Sequence, residues 1–258
     1  MCDKMIVGIL GCGAIANLIV QNVNSDNTNI KIKYFYDRDC ERAENLASIA
    51  GGIAVYKLED MLDKVDLVLE AASQESVRKS ALKIIESGTD MITMSVGALM
   101  DEDLREVLSN AAKKYNTTIY APSGAVSGID GIKAASVTGI DSITLTTRKS
   151  PKSLGREITE EEILFEGKAS EAVKEFPMNI NVAASLSLAS DMDINVKIIV
   201  DPKVSRNVHE VEVKGSFGQL KTTTMNFPCT ANPKTSMLAA LSAIKLLRSL
   251  DEHLIIGT

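Results

Sequence analysis

The sequence predicts an α/β chain in two parts: a parallel sheet with helices on both faces, then an α+β domain on an open mixed or antiparallel sheet. Three observations carry this expectation. Strand-like and helix-like patterns alternate over the first 120 residues. A glycine-rich turn closes the first strand. After Ala121 the pattern shifts to strands joined by short turns.

The first strand is the apolar run that starts at Met5, and it ends in Gly11-Cys-Gly-Ala-Ile-Ala16. Gly11 allows a sharp turn, Gly13 lets backbone approach a pyrophosphate, and Ala16 lets helix and strand pack closely. Helix-start N–H groups at Ala14 and Ile15, with the positive end of the helix dipole, suit phosphate oxygens. The first domain is therefore expected to be Rossmann-type. The second strand runs from Ile30 to Tyr36 and ends at Asp37, whose carboxylate suits the adenosine ribose hydroxyls. Its spacing from the glycines is slightly long, and the polar loop Asn24–Asn29 accounts for that. Arg38 follows, and its guanidinium could pair with a 2′-phosphate, so both NAD and NADP stay open.

Arg38 to Ala50 reads as a helix that Gly51-Gly52 stops. Ile53 to Tyr56 reads as a strand, Leu58 to Leu62 as one helical turn, and Val65 to Glu70 as a buried strand. Glu75 to Ser87 places Val77, Ala81, Ile84 and Ile85 on one helical face. Asp90–Ser95 and Thr117–Tyr120 are strands around a helix from Met100 to Tyr115. Ligands of such sheets sit beyond the carboxyl ends of the strands, which selects Ala71, Ala72 and the Ser95 and Ala121 turns.

In the second part, Ser127–Val137 reads as a short helix, Ser142–Arg148 as a strand and Lys149–Arg156 as a loop. Glu162 to Phe176 is expected to carry helical segments around Gly167, and Asn181 to Ser190 a helix. Asn195–Asp201, Val208–Lys214 and Gln219–Phe227 read as strands. Asn232 is a suitable N-cap and Pro233 a suitable first residue for a closing apolar helix. The expected division is a dinucleotide-binding domain at 1–120, completed by the helix at 232–258, and a substrate domain at 121–231.

With 45% hydrophobic residues, the 258-residue chain can build a buried core. A net charge of −6 and 4% aromatic residues argue against a nucleic-acid partner. No apolar run reaches the roughly 20 residues of a membrane span, and the glycine-broken start lacks a charged leader. Four cysteines without pair spacing point to reduced thiols and a cytoplasmic setting. Two histidines exclude a multi-histidine metal centre, and no metal is expected.

His209 begins a strand after a polar loop, and its imidazole suits general acid–base work or simply a strand edge. His253 reads as a surface residue. Ala121-Pro-Ser-Gly-Ala-Val-Ser-Gly128 fits either close approach of a ligand where the domains meet or a linker. Asn179 could hold the nicotinamide or the substrate, or cap the following helix. Lys234 and Thr235, at the expected helix start, could bind a carboxylate or phosphate, or merely cap.

The segments ending at Ala16, Arg38, Ser73, Ala98 and Ala125 are followed by Phe176-Pro-Met-Asn-Ile-Asn181, Arg206-Asn-Val-His209 and Asn232-Pro-Lys-Thr-Ser236. Together and in this order they resemble the L-aspartate dehydrogenase family over nearly the whole chain. The resemblance implies a two-domain, NAD- or NADP-dependent enzyme that interconverts L-aspartate and iminosuccinate, or oxaloacetate plus ammonia. It also implies a homodimer linked to NAD biosynthesis. It places the catalytic histidine on His209 and cofactor contacts on Ala121 and Asn179, besides the glycines. The two substrate carboxylates need cationic or N–H partners. Lys234 and Thr235 are the first candidates, with Arg148, Lys149 and Arg206 behind them. Rival expectations are a relative of dihydrodipicolinate reductase or homoserine dehydrogenase, whose Lys or paired-His signatures are not found here, and a non-catalytic NAD-binding sensor.

Overall fold

In the first half of the chain, short apolar-rich segments become strands, and segments apolar on one side become the helices that pack beside them. The computed structural model describes residues 4–23, 29–176, 180–229 and 232–257, with side chains undescribed at 232–234. In order come β1 (Met5–Leu10), α1 (Ala14–Val23), β2 (Ile30–Tyr36), α2 (Cys40–Ala50), β3 (Ile53–Ala54), α3 (Glu59–Leu62) and β4 (Leu67–Glu70). Then follow α4 (Gln74–Glu86), β5 (Asp90–Thr93), a 3-10 turn at Val96–Met100, α5 (Glu102–Tyr115) and β6 (Ile119–Tyr120). The six strands pair in parallel in the order β3-β2-β1-β4-β5-β6. All four residues of β4 are buried, as strands covered on both faces require.

Local chemistry sets the helix ends. Asp39, Ser73 and Asp101 cap α2, α4 and α5, each accepting from a first-turn backbone N–H. Gly51 ends α2 in the left-handed region at φ 63°. On α4, Val77, Ala81, Ile84 and Ile85 form the buried stripe.

The second half comprises α6 (Ile129–Ser136), β7 (Ile140–Lys149), a 3-10 turn at Pro151–Leu154, β8 (Glu162–Lys168), α7 (Ala169–Glu175), α8 (Asn181–Ser190) and β9 (Asn195–Val200). After them come β10 (Asn207–Gly215), β11 (Gly218–Asn226), β12 (Pro228–Cys229), β13 (Asn232–Ser236) and α9 (Met237–Ser249). The main sheet runs β11-β10-β7-β9-β8, antiparallel except for the β7–β9 pair. The architecture is thus a Rossmann-type sheet and a separate mixed sheet. One compact unit spans Met1–Pro122 and Ala240–Ile255, and the other Ser123–Ala239 with the last residues. Within the first unit, Arg248 Nη2 donates to Asn22 O at 3.1 Å, and Ala240, Ala243, Ile244 and Leu247 form the buried stripe of α9.

Two expectations are corrected. Glu162–Lys168 is a strand rather than helix, although α7 follows it. Its Glu, Leu and Lys suit a helix, but pairing with β9 decides the conformation, which local propensity does not see. Asn232 and Pro233 do not open the last helix either. The stretch to Ser236 pairs with Pro228–Cys229, and the helix begins at Met237. Ladder hydrogen bonds from the preceding strand outweigh the capping signal there.

Candidate active site

At the carboxyl end of β1 the backbone turns at Gly11 with φ 96°. A Cβ there would lie 2.5 Å from Ala72 Cβ, so both conformation and packing require glycine. A Cβ on Gly13 would meet nothing within 4 Å, leaving bare backbone facing open space. Asp37 ties the second strand to this turn: its Oδ2 accepts from Cys12 N at 2.7 Å, and its Oδ1 from Asp39 N at 3.0 Å. The Cys12 thiol is pushed up to about 12 by burial and then by Asp37, so it is no nucleophile at neutral pH.

Gly11, Gly13, Asp37, Arg38, Ala71 and Ala72 line one cavity of about 390 Å³ within the first unit. Ala14 and Ile15 start α1 beside it, and Ala121 follows β6 as an exposed residue. Asn179 lies outside the described residues. The bare backbone at Gly13, the helix start and the carboxylate just after β2 fit a dinucleotide.

Sequence reasoning named Glu70 only as a strand end, yet it organises this rim. It is fully buried, and its carboxylate accepts from Ala72 N, Thr93 Oγ1, Ser95 N and Ser95 Oγ at 2.8–3.1 Å. Burial pushes the carboxyl above the usual carboxylate range, against these four donors that favour the anion. Glu70 thereby fixes the Ala71-Ala72 turn and the end of β5. Its signal was an acidic residue closing an otherwise apolar strand.

The second unit holds His209. Register sets its surroundings: His209 of β10 stands opposite Thr147 of β7. Facing residues share one side of a sheet, and Thr147 Oγ1 lies 3.0 Å from His209 Nδ1. Burial first, then the charge of Lys149, lowers the imidazole to about 4, so it is neutral at physiological pH. Nδ1 is thus the ring nitrogen that Thr147 engages.

Arg148 occupies the other side of β7. Its guanidinium meets Glu161 at 2.7 Å, Asp201 at 3.1 Å and Glu210 at 3.1 Å. Its charge is therefore met inside the unit. Arg206 lies over the Phe227 ring at 4.2 Å. Thr235 is half-buried, while the Lys234 side chain is outside the described residues. The neighbouring Ser236 Oγ is buried and makes no hydrogen bond among the described residues. Also among the described residues, no group of three or more His, Cys, Asp or Glu is placed to hold a metal ion.

Fold and glycine-turn site together define a pyridine-nucleotide-dependent dehydrogenase, an oxidoreductase that takes NAD or NADP. Residues 11–122 match the model for the homoserine dehydrogenase NAD-binding domain, and residues 130–250 match that for the aspartate dehydrogenase C-terminal domain. An L-aspartate dehydrogenase of Methanothermobacter thermautotrophicus is 58% identical, covering 98% of this chain and 99% of that protein. One from Methanococcus maripaludis is 44% identical over the same shares. The crystal structure of aspartate dehydrogenase from Thermotoga maritima superposes with a TM-score of 0.83 at 30% identity, covering 98% of this chain and 100% of that one. The chain belongs to the L-aspartate dehydrogenase family. The match to the homoserine dehydrogenase model covers the nucleotide half.

Proposed function

We propose that this protein oxidises L-aspartate to iminosuccinate with NAD or NADP, and runs the reverse reduction when ammonia is abundant. The substrate rests on end-to-end likeness to proteins named L-aspartate dehydrogenase. The observation that carries the chemistry is His209, a buried neutral imidazole held at Nδ1 by Thr147.

The cofactor sits on Gly11, Gly13 and the start of α1 at Ala14 and Ile15. Asp37 and Arg38 are its candidates at the adenosine ribose, Ala71, Ala72 and Ala121 at neighbouring strand ends are further candidate contacts, and the family resemblance adds Asn179. When bound, the nicotinamide supplies the hydride acceptor for C2 of the amino acid. His209 works through Nε2. With Nδ1–H donating to Thr147 Oγ1, the Nε2 lone pair takes a proton from the substrate ammonium, or from the water that adds to the imine carbon. Addition of that water and loss of ammonia convert iminosuccinate to oxaloacetate. The lowered value keeps the ring unprotonated, the form that can accept a proton. Lys234 and Thr235 are the candidates for holding one substrate carboxylate. Arg148, held by three carboxylates, is a brace of the sheet.

Iminosuccinate is a reactive precursor of the pyridine ring, so the enzyme feeds NAD biosynthesis on this reading, working in the cytoplasm as a homodimer. Cys12, Cys40 and Cys229 are free thiols, in keeping with a reducing compartment. Among the described residues, no helix is long and apolar enough to cross a membrane.

The test is a panel of oxaloacetate, dihydrodipicolinate and aspartate semialdehyde with NADH or NADPH at fixed ammonia. Oxaloacetate should be reduced and the others left; turnover of a rival alone would overturn the reading, and tight NADH binding without turnover would favour a sensor. His209→Asn should lower kcat/KM by about 10²–10⁴-fold, the range for a lost acid–base group, with NADH affinity within about twofold.

A further inference from the structure

Glu70 closes β4 with a fully buried carboxylate whose role so far is to hold a turn. Its Oε1 accepts from Ala72 N and Ser95 Oγ, both at 2.8 Å. Its Oε2 accepts from Thr93 Oγ1 at 2.9 Å and Ser95 N at 3.1 Å. Each oxygen thus takes one backbone N–H and one hydroxyl, which fills the four lone-pair sites of an ionised carboxylate. The N–H groups can only donate, so a proton on either oxygen takes a site that a donor now holds. Burial opposes the charge, and these donors favour it. Among the described residues all four partners are neutral. Elsewhere on the cavity lining, Lys79 with Glu75 and Lys83 with Glu59 meet as ion pairs.

We propose that the Glu70 carboxylate favours the oxidised, positively charged nicotinamide over the reduced, neutral one, and so makes the reduced cofactor a stronger hydride donor. The inference rests on the dinucleotide reading of the glycine turn given above. Strand order places the charge. On that reading the adenosine belongs to Asp37 after β2 and the pyrophosphate to the Gly11–Gly13 turn after β1. In the order β3-β2-β1-β4-β5-β6, the other half of a dinucleotide then extends toward β4 and β5. Glu70 ends β4, and its carboxylate reaches Thr93 and Ser95 at the end of β5. The Ala72 N–H that it holds belongs to a residue lining the cavity. A charge fixed among buried groups is screened far less than one in water. When hydride leaves the reduced ring for the imine carbon, its electron pair goes with it and the imine nitrogen takes a proton. The ring gains one positive charge, and the phosphates keep theirs. Glu70 acts on that difference through its field and through the turn it holds, as a positioning residue.

The experiment measures the dissociation constants of NAD and NADH on the full-length protein by titration calorimetry, without substrate. Phosphate and adenosine contacts are common to both forms, so the ratio of the two constants isolates the ring. In Glu70→Gln, which keeps the shape and removes the charge, the NAD constant should rise about tenfold more than the NADH constant, the scale of one charge acting across a protein interior. Glu70→Asp, which keeps the charge on a shorter arm, should weaken both forms alike and leave the ratio within about threefold of wild type. A Glu70→Gln protein of native circular dichroism whose ratio stays within about threefold, or moves toward NAD, overturns the proposal, because a turn without a charge does no more than that. An equal change of ratio in the two variants overturns it as well. Should Glu70→Gln not fold, the wild type decides. It should hold NAD at least as tightly as NADH, and tighter NADH overturns the proposal. Failure of the wild type to bind either nucleotide would remove the cofactor reading itself, whereas ordinary binding with an unmoved ratio removes only this role.

Discussion

At the scale of single residues, burial does the same thing to two different bases. The His209 imidazole falls from 6.5 to about 4 and the Lys149 amine from 10.5 to about 8, in both cases because the charged form loses water. Each lowered value makes the folded protein bind fewer protons than the unfolded chain within its own window. Stability therefore rises with pH between about 4 and 6.5 from His209, and between about 8 and 10.5 from Lys149. Shifts of this size correspond to a few kcal/mol each, on the order of 3. Thermal midpoints measured from pH 7 down to pH 4 should fall, and His209→Asn, whose amide can replace Nδ1 toward Thr147, should fall less steeply. Parallel slopes for the two proteins would show that the imidazole is not buried as described. His209 was identifiable by type and position in the sequence, but its state was not, because a strand partner 62 residues away supplies the Thr147 contact. The same holds for Glu70, whose four donors come partly from the next strand.

At the scale of elements, β7 shows what alternation decides. Arg148 and Lys149 are adjacent cations that composition treats alike, yet one strand step sends them to opposite faces. On one face Arg148 gathers Asp201, whose side chain is 8% exposed, and the more exposed Glu161 and Glu210. Replacing Arg148 by Met strands the buried Asp201 carboxylate, which should cost about 3 kcal/mol in urea denaturation, within the range for breaking a buried pair. KM for oxaloacetate should hardly move. A raised KM at unchanged stability would return Arg148 to the substrate site. The elements that were legible in the sequence are those with strong periodicity, such as α4 and β4. The two that misled, β8 and the stretch from Asn232 to Ser236, are short strands whose conformation depends on their pairing partners.

At the scale of the molecule, the proposed homodimer should be visible in solution. Sedimentation equilibrium should give twice the 27.7 kDa chain mass. On the edge strand β11 and just beyond it, Met225 and Phe227 are 64% and 62% exposed, a liability for a lone subunit. Met225→Glu with Phe227→Glu should shift the mass toward one chain if this edge is where the copies meet; a monomeric wild type would dismiss the dimer. The sequence by itself determined the nucleotide half, because glycines that answer to backbone geometry and strands buried on both faces leave local signatures. It also offered His209 as a candidate, which the family resemblance then favoured over a plain strand-edge histidine. The tertiary structure alone decided which side chains stand together: Thr147 and Lys149 with His209, three carboxylates with Arg148, and Glu70 beneath the turn that follows it. The physical reason is that register and burial are properties of strand pairs and packed layers, and a one-dimensional pattern does not contain them.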